Sequence, residues 1–350
     1  MNNRYKELLK QVSIEHNEVK DESLNDRVLI LDGLNQFIRC FGAVPALNDD
    51  GEHCGGVTGF LLSTASIIRT LKPTRVVVVF DGKGGSNRRK QIHKGYKEGR
   101  KGLTKLNRLA GYEDLEDQEV SMRKQFSRLI EYLQILPLSL TYIDYVEADD
   151  IIAYLANHYF ENEVTICSSD KDFLQLVNDR VSVYALTKKK LYTPDMVKEE
   201  YGVTPQNLIY YRCLMGDKSD NIGGVNGIGI KTIEKKMTFL GENELSLDTF
   251  IDKCLKECDD KLSQKLSENV DTIKLNHKLM QLHDPEISSS IKSNVREIMD
   301  SEGNRLDMIE FKKMFMYDKL YTAFANVDSW LRNSFTFLET NLKNNFDIKK

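Results

Sequence analysis

The sequence predicts an α/β fold with a mainly parallel central sheet flanked by helices, followed by a smaller helical domain. Over about residues 26–190, short apolar runs rich in β-branched residues alternate with amphipathic helical segments, which is typical of a parallel sheet. The runs are continuously apolar, as expected for strands covered on both faces. From about residue 194 onward the strand patterns stop and the apolar residues recur at helical spacing.

The individual strands are predicted from apolar runs that end at turn or acidic residues. They are RVLIL (27–31), RVVVVF (75–80), SLTYIDYV (139–146), VTIC (164–167) and a short strand near VSVYA (181–185). Between them, apolar residues at helical spacing predict three helices. Two of them end before a proline, and the third begins with acidic residues. These helices are 55–71, 119–136 and 148–160.

Length and composition restrict the class of protein. The 350 residues allow about two domains, and 41% hydrophobic and 29% charged residues are typical of a globular protein. No apolar run approaches the length of a membrane span, and residues 1–25 are polar without a signal-peptide core. The six cysteines are too dispersed for a disulfide framework or a thiolate zinc site. We therefore expect a cytoplasmic protein with no membrane partner.

Acidic residues follow four of the predicted strands at the point where each strand ends. A single acid at such a position is often a turn residue or a helix N-cap, but capping alone does not explain seven. In parallel α/β sheets, ligands bind at the carboxyl ends of the strands, so these acids are expected to line one crevice. They are Asp32, Asp81, Glu147, Asp149, Asp150, Asp170 and Asp172.

So many carboxylates in one crevice would repel each other, and some would take up protons unless cations compensate them. The predicted ligands are all carboxylates, and oxygen-only ligands favour Mg²⁺ or Mn²⁺ over zinc. Two such ions about 4 Å apart can catalyse phosphodiester cleavage. The crevice is therefore predicted to be a two-metal site acting on phosphates.

Residues 83–108 contain ten lysines and arginines and a single acid, Glu98, in a chain whose net charge is −4. A solvated loop would have a similar composition. Beside an acidic crevice, the segment is better interpreted as a phosphate-binding element that attracts a polyanion. The predicted contacts are Arg88, Arg89 and Lys90, with Tyr96 stacking on a base.

A glycine-rich segment, GDKSDNIGGVNGIGIKT (216–232), adds the acids Asp217 and Asp220. GVNGIGIKT has the form of a helix-hairpin-helix turn, although a tight turn without a ligand would look similar. Backbone N–H groups at a helix start bind phosphate without reading bases. The predicted DNA contacts here are Gly227, Gly229, Lys231 and Lys235.

Taken together, these motifs resemble the 5′-nuclease family of phage 5′→3′ exonucleases and RNase H enzymes, polymerase-linked 5′ nucleases and flap endonucleases. The resemblance covers roughly residues 27–285 and is closest to the phage enzymes, which implies the cytoplasm of a bacterium or a phage-infected host. The motifs are LILDGLNQFIRCF, VVVFDGKGGSNRRK with GYKEGR, YVEADDIIAYLA, ICSSDKDFLQLV, GDKSDNIGGVNGIGIKT and, more weakly, IKLNHKLMQL. The resemblance implies a PIN-like catalytic domain (26–190) with a basic arch or clamp at about 83–118, and a helix-hairpin-helix DNA-binding domain (191–285). Residues 1–25 and 286–350 are extensions to which it assigns nothing.

The resemblance also implies roles for individual residues. Five acids match the ligands of the first metal (Asp32, Asp81, Glu147, Asp149, Asp150), and four match those of the second (Asp170, Asp172, Asp217, Asp220). Arg39, Lys97 and Arg100 match basic residues that steer and polarise the scissile phosphate, Lys97 and Arg100 within the arch. The Gly227–Lys231 turn matches the element that holds the duplex, often with a K⁺ ion, although Asn226 stands where many relatives carry proline.

The predicted function is that of a Mg²⁺-dependent, structure-specific 5′ nuclease that uses two metal ions, with Mn²⁺ able to substitute. It is expected to act as a 5′→3′ exonuclease and flap endonuclease on DNA, to remove RNA primers from RNA–DNA hybrids during replication, and to be a monomer. A single-strand-binding protein or clamp is a candidate partner. Two alternatives stay open: a branched-DNA-binding protein that does not cut, and a PIN-type ribonuclease.

Overall fold

The computed structural model describes residues 23–99 and 115–346, and a six-stranded sheet lies at its centre. The strands are β1 (Arg27–Asp32), β2 (Arg75–Asp81), β3 (Ser139–Ile143), β4 (Glu163–Cys167), β5 (Val181–Ala185) and β6 (Lys190–Tyr192). Their order is β3-β2-β1-β4-β5-β6. The strands β1 to β5 pair in parallel, and β6 pairs antiparallel with β5 at the edge. The predicted α/β fold with a mainly parallel sheet is confirmed.

The register of the sheet brings the carboxyl ends of the central strands together. Asp32 at the end of β1 lies opposite Val79 of β2, and Asp81 at the end of β2 lies opposite Ile143, the last residue of β3. Leu31 lies opposite Cys167, the last residue of β4. The segments that follow these strands therefore leave the sheet along one edge.

Helices cover both faces of the sheet. In the first part they are α1 (Gly33–Ala43), α2 (Gly55–Leu71), α3 (Asn87–Ile92), α4 (Leu115–Gln134) and α5 (Ala148–Tyr154), with a 3₁₀ turn at Lys171–Leu176. In the second part they are α6 (Pro194–Tyr201), α7 (Leu208–Met215), α8 (Ile230–Lys236), α9 (Leu247–Glu257), α10 (Asp260–Glu268), α11 (Val270–Met280), α12 (Ser289–Asp300), α13 (Met308–Tyr317) and α14 (Val327–Phe346), with a 3₁₀ turn at Thr238–Gly241.

Three local predictions differ from the structure. The strand predicted for 139–146 ends at Ile143 because the next residues turn: the Lys83 N–H donates to Asp144 Oδ1 at 2.9 Å, and Tyr145 has a φ of 66°. The helix predicted for 148–160 is α-helical to Tyr154 and continues as a π turn, Leu155–Tyr159. Strands do not stop at residue 194, since Gly216–Asp217 (β7) and Ile222–Gly223 (β8) form a small antiparallel pair.

Two apolar clusters fill the molecule, one on each face of the sheet. The first contains the side chains of Val28, Ile30, Val77 and Val79, helix α5 and buried residues of the helices up to Met299. The second contains the alternate strand positions together with α1, α2, α4, α13 and α14. The C-terminal helices are therefore part of the core. None of the helices in the described part of the chain combines the length and apolar content needed to cross a membrane.

Candidate active site

Asp32 occupies the centre of the carboxyl edge of the sheet, at the junction of β1 and α1. It is the N-cap of α1, and its Oδ1 accepts a hydrogen bond from the Asn35 N–H at 3.3 Å. Its Oδ2 accepts from Ser168 Oγ at 2.7 Å, and its residue is only 6% exposed. The carboxylate is thus held rigidly in a nearly buried position.

The start of α5 supplies three further acids next to Asp81. The Ala148 N–H donates to Asp81 Oδ1 at 3.0 Å, so the end of β2 is fastened to the first turn of α5. Glu147 is the N-cap position of α5, and Asp149 and Asp150 lie in its first turn. Negative side chains are favoured at this end of a helix by the backbone dipoles.

Asp170 and Asp172 follow β4 and are connected to Asp32 through one serine. Ser168 Oγ donates to Asp32 and accepts from the Asp170 N–H at 3.0 Å. Asp170 then caps the 3₁₀ turn by accepting from the Asp172 N–H at 2.8 Å. The sequence SSDKD after VTIC therefore places its acids beside the first group by local hydrogen bonds.

The small β7–β8 pair brings Asp217 and Asp220 to the same edge. Arg212 bridges the two groups of acids, because its Nε lies 2.6 Å from Asp172 Oδ1 and its Nη2 bonds to Asp217 Oδ2. The Lys97 N–H donates to the Asp220 carbonyl oxygen at 2.9 Å, which joins the basic segment to this element. The structure thus collects all nine predicted acids along one rim.

The electrostatics of the rim are those of crowded carboxylates. Burial, and then the charges of Asp170 and Asp81, raise the pKa of Asp32 to about 7 despite its hydrogen bonds. Burial and the charges of Asp170 and Asp32 raise the pKa of Asp149 well above its usual range. Burial and the charge of Asp170 raise the pKa of Asp172 to about 7, although Arg212 opposes the rise. The negative charges of these acids repel one another, and nearby cationic side chains do not compensate them fully.

Glu147 and Asp150 differ from these acids because they form ion pairs with cationic side chains of the protein. Arg89 is 3% exposed, its Nη2 lies 2.7 Å from Asp150 Oδ1, and its Nη1 bonds to Glu147. Lys97 Nζ also bonds to Glu147. Burial would raise the pKa of Glu147, but Arg89 and Lys97 together hold it below its usual value. In this structure both carboxylates therefore pair with cations of the protein. The prediction that they are metal ligands did not include these ion pairs.

The fit to divalent metal rests on the chemistry of the remaining acids. Within residues 23–99 and 115–346, no three Asp, Glu, His or Cys side chains are arranged so that they could hold one ion. Nevertheless, Asp32, Asp149 and Asp170 have raised pKa values, caused first by burial. A hard cation with oxygen ligands would relieve this excess of negative charge. By donor type and charge, the acids that fit it are Asp32, Asp81, Asp149, Asp170, Asp172, Asp217 and Asp220.

Two predicted contacts of the basic segment, those of Tyr96 and Arg89, are wrong. Tyr96 is 3% exposed, belongs to the apolar cluster with α5, and its hydroxyl donates to Glu147 at 3.4 Å. Its ring is therefore not available to stack on a base, and buried Arg89 is not available to a phosphate. Arg88 is partly exposed and pairs with Asp150 at 3.4 Å and Glu286 at 2.8 Å. Lys90 is exposed on α3.

The three basic residues assigned to the scissile phosphate have different positions. Lys97 lies at the rim, half-buried, with its Nζ against Glu147. Arg39 is half-buried on α1 one turn after Asn35, whose side chain accepts from Ser169 Oγ at 2.7 Å. Residues four apart share a helix face, so Arg39 lies on the same face of α1 as Asn35, the face that meets the end of β4. Arg100, like residues 101–114 of the predicted arch, lies outside the described residues.

The predicted helix-hairpin-helix turn connects β8 to α8. Val225 and Ile228 are buried beneath it, whereas Gly227 is exposed and has a φ of +75°. Gly229 is the N-cap of α8. The lysines predicted to contact phosphate, Lys231 and Lys235, are exposed on that helix. The turn uses the positive φ that glycine permits at Gly227, and its DNA contacts stay a prediction.

Sequence reasoning missed Ser168, Asn35 and Arg212 as parts of the site. Ser168 could have been noticed, since it lies two residues before Asp170 at the end of a predicted strand. Arg212 carried no such signal. Its partner Asp172 is 40 residues away along the chain, and only the packing of α7 on the 3₁₀ turn brings them together.

Two family sequence models match most of the chain. Residues 27–202 match "5'-3' exonuclease, N-terminal resolvase-like domain", and residues 203–301 match "5'-3' exonuclease, C-terminal SAM fold". The two matches adjoin each other and contain all nine acids of the rim. Residues 302–350 lie beyond them.

Several relatives share substantial sequence identity. The 5'-3' exonuclease of Bacillus subtilis is 35% identical over 221 residues, which is 60% of this chain and 69% of that protein. The 5'-3' exonuclease of Aquifex aeolicus is 29% identical over 299 residues, or 83% of this chain and 95% of that protein. DNA polymerase I of Bacillus subtilis is 35% identical over 256 residues, 71% of this chain. The chain spans about a quarter (26%) of that polymerase.

Solved structures show the same fold. The bacteriophage T5 D15 flap endonuclease, crystallised as a pseudo-enzyme-product complex with DNA and metal ions, aligns with a TM-score of 0.58 and 22% identity. The alignment covers 84% of this chain and 99% of that protein. The T5 D15 protein co-crystallised with metal ions gives the same TM-score over 85% of this chain and all of that one.

Proposed function

The chain belongs to the 5′-3′ exonuclease family, and from this premise we propose that it is a Mg²⁺-dependent, structure-specific 5′ nuclease. It cleaves phosphodiesters of DNA at 5′ ends and at the junction between a duplex and a 5′ single strand. The observation that carries the proposal is the crowd of acids with raised pKa values at the carboxyl edge of the sheet.

The acids are proposed to form two ion sites. We propose that Asp32, Asp81 and Asp149 contribute to one ion site, and that Asp170 contributes to the other with the acids near Arg212. Two divalent ions bound there would activate a water molecule and stabilise the leaving oxygen. Mn²⁺, which also prefers oxygen ligands, is proposed to substitute for Mg²⁺.

The basic side chains position the substrate. Lys97 Nζ bonds to Glu147, and the Lys97 N–H donates to the carbonyl oxygen of Asp220, in the turn between β7 and β8. We therefore propose that its ammonium group is held where a phosphate approaching the acids would pass. Arg39 and Arg100 are proposed to contact the same phosphate. The turn at Gly227–Lys231 is proposed to hold the backbone of the duplex through N–H groups and lysines, with K⁺ as a candidate ion there.

The substrate class is proposed from the relatives. A flap endonuclease shares the fold and polymerases share the sequence, so 5′ flaps and RNA primers in RNA–DNA hybrids are the proposed substrates. We propose that the protein works as a monomer during replication. A single-strand-binding protein or clamp is the proposed type of partner.

The test is cleavage of an internally labelled 5′-flap duplex by the full chain with Mg²⁺ or with EDTA. Asp149→Asn removes a central charge of the rim and is expected to abolish cleavage while duplex binding persists. The matched control is Asp179→Asn, an exposed aspartate before the amino end of β5, at the opposite edge of the sheet. It should cleave at the wild-type rate.

Each alternative function has its own signature. Binding of the flap without cutting in Mg²⁺ or Mn²⁺ would identify a branched-DNA-binding protein. Cleavage of single-stranded RNA in preference to DNA would identify a PIN-type ribonuclease. Near-normal turnover by Asp149→Asn would contradict the assignment of the site even if the nuclease activity itself were present.

A further inference from the structure

The side chain of Asn35 lies next to Asp32 on the rim and has a fixed orientation. Its Oδ1 accepts from Ser169 Oγ at 2.7 Å and from the Ser169 N–H at 3.4 Å. The backbone N–H of Asn35 donates to Asp32 Oδ1 at 3.3 Å, in the first turn of α1. The residue is therefore held between the end of β1 and the segment that follows β4.

The amide nitrogen of Asn35 is directed away from this serine. The backbone N–H of Ser169 can only donate, so the amide oxygen and not the nitrogen faces it. Within residues 23–99 and 115–346, the Nδ2 group of Asn35 donates to no acceptor. The residue is half-buried. Because a donor that is partly removed from water gains free energy when an acceptor is supplied, this amide is suited to a ligand.

The cationic side chains of the rim are already engaged by its carboxylates. Lys97 and Arg89 both bond to Glu147, and Arg212 bridges two further acids. Hydrogen bonds that involve a charged group are about twice as strong as neutral ones, so a carboxylate competes strongly with a phosphate for a cationic donor. A neutral amide escapes most of this competition. Asparagine side chains are among the groups that contact phosphate oxygens in protein–DNA complexes.

We propose that Asn35 donates a hydrogen bond from Nδ2 to a non-bridging oxygen of the scissile phosphate, and that Ser169 orients the amide for this contact. The inference rests on the proposed nuclease function and adds a substrate contact to it. The hydrogen bond forms when the phosphate is seated against the acids. It therefore contributes to the rate of cleavage and not to the general affinity for the duplex.

The experiment measures single-turnover cleavage of the labelled 5′ flap at saturating protein and Mg²⁺, and binding of the same flap in EDTA. The proteins are wild type, Asn35→Ala, Asn35→Asp and Ser169→Ala. Asn35→Asp keeps an acceptor for Ser169 but replaces the amide donor by a carboxylate oxygen. Ser169→Ala is the matched control, because it removes the anchoring hydroxyl and keeps the donor. Urea unfolding checks that each variant is folded.

Asn35→Ala is expected to cleave roughly ten- to 100-fold more slowly than wild type, because a hydrogen bond to a charged oxygen is lost. Asn35→Asp should be at least as slow, since its carboxylate repels the phosphate. Ser169→Ala should lose only about three-fold, because the amide is less well oriented but still present. Asn35→Ala and Ser169→Ala should bind the flap in EDTA within about two-fold of wild type, since other phosphate contacts supply that affinity.

Four outcomes would overturn the inference. If Asn35→Ala cleaves at the wild-type rate, the amide makes no contact that matters to the reaction. If Asn35→Asp cleaves like wild type, the residue acts only as an acceptor for Ser169. If Ser169→Ala is as slow as Asn35→Ala, the loss belongs to the link between α1 and the end of β4.

The fourth outcome concerns binding. If Asn35→Ala weakens binding in EDTA by the same factor by which it slows cleavage, the side chain is a general DNA contact. A wild-type protein that fails to cut the flap would instead overturn the proposed function, and the two failures are thus distinguishable.

Discussion

At the scale of single residues, some carboxylates of the rim oppose the folding of the protein. Asp32 and Asp172 each have a pKa of about 7 in the folded chain against an ordinary value of 3.8, with burial as the main cause. Near neutral pH their charged forms are therefore disfavoured by the fold. Such a cost persists where a site needs the groups for binding or catalysis.

This cost predicts how pH affects stability in EDTA. A carboxyl group whose pKa is raised by folding stabilises the folded state when it is protonated. For Asp32 the contribution is fully present below about pH 4 and is lost as the pH rises through about 7. Asp32→Asn is therefore expected to increase the free energy of unfolding by roughly 1–3 kcal/mol at pH 8, and by much less at pH 5.

The measurement is urea unfolding of wild type and Asp32→Asn in EDTA at the two pH values. Asp179→Asn, an exposed aspartate outside the rim, should change stability little at either pH. A variant that is less stable than wild type at pH 8 would show that the hydrogen bonds from Ser168 and Asn35 outweigh the burial of the charge.

At the scale of structural elements, the sequence predicted the features that depend on local pattern. The strands β1, β2, β4 and β5 were located within one residue at each end, since each is a short β-branched run. Helix α2 was predicted with its observed bounds, 55–71. The end of β3 was missed because it is set by a contact with Lys83, which belongs to another part of the chain.

The residues of the site also divide into those predicted from local pattern and those whose contacts depend on packing. Seven acids could be predicted because each follows a strand, and the topology of a parallel sheet then brings them together. Asp217 and Asp220 came instead from the glycine-rich segment. The contacts of Arg89 and Tyr96 could not be predicted, since a charged or aromatic residue in a basic segment gives no sign of burial. Only the packing of α3 against α5 and the Leu279 carbonyl, which accepts from Arg89 Nε at 2.8 Å, makes them interior residues.

The turn before α8 allows a prediction for one element. Gly227 has a φ of +75°, and a Cβ placed there would lie 2.8 Å from Lys265 Nζ. Gly227→Ala is expected to distort the turn at a cost of about 1–2 kcal/mol and to weaken binding of duplex DNA about five- to ten-fold. Cleavage at saturating substrate should change much less, because the rim is unaltered.

The matched control is Gly202→Ala, at the end of α6 and outside the turn, whose φ of +70° imposes a similar backbone strain. Fluorescence anisotropy with a labelled duplex in EDTA measures binding separately from cutting. If Gly227→Ala binds as tightly as Gly202→Ala, the turn is a structural connection and not a DNA contact.

At the scale of the whole molecule, the C-terminal helices complete the core although the family matches end at residue 301. Helix α14 packs along α2, and its Ser334 hydroxyl accepts from Arg69 Nη1 at 2.6 Å. Its buried side chains recur at helical spacing and face the second apolar cluster. The sheet face under α2 and α4 is thus covered by a segment to which the sequence resemblance assigned no role.

This arrangement predicts a difference between two phenylalanines of α14. Phe335 is fully buried and its ring lies 5.2 Å from that of Trp330, whereas Phe337 is 46% exposed. Phe335→Ala is expected to lower the free energy of unfolding by about 3–5 kcal/mol, because it removes buried apolar surface and leaves a cavity. Phe337→Ala should cost less than about 1 kcal/mol.

Urea unfolding at pH 7 gives both values, and flap cleavage measured well below the unfolding transition tests whether the site depends on α14. We expect both variants to cleave at the wild-type rate there, since α14 lies on the face of the sheet opposite to α5 and its acids. Equal stability losses in the two variants would contradict the packing of α14. A loss of cleavage by the folded Phe335→Ala protein would mean that the C-terminal helices also set the geometry of the rim, through the β2 strand that they cover.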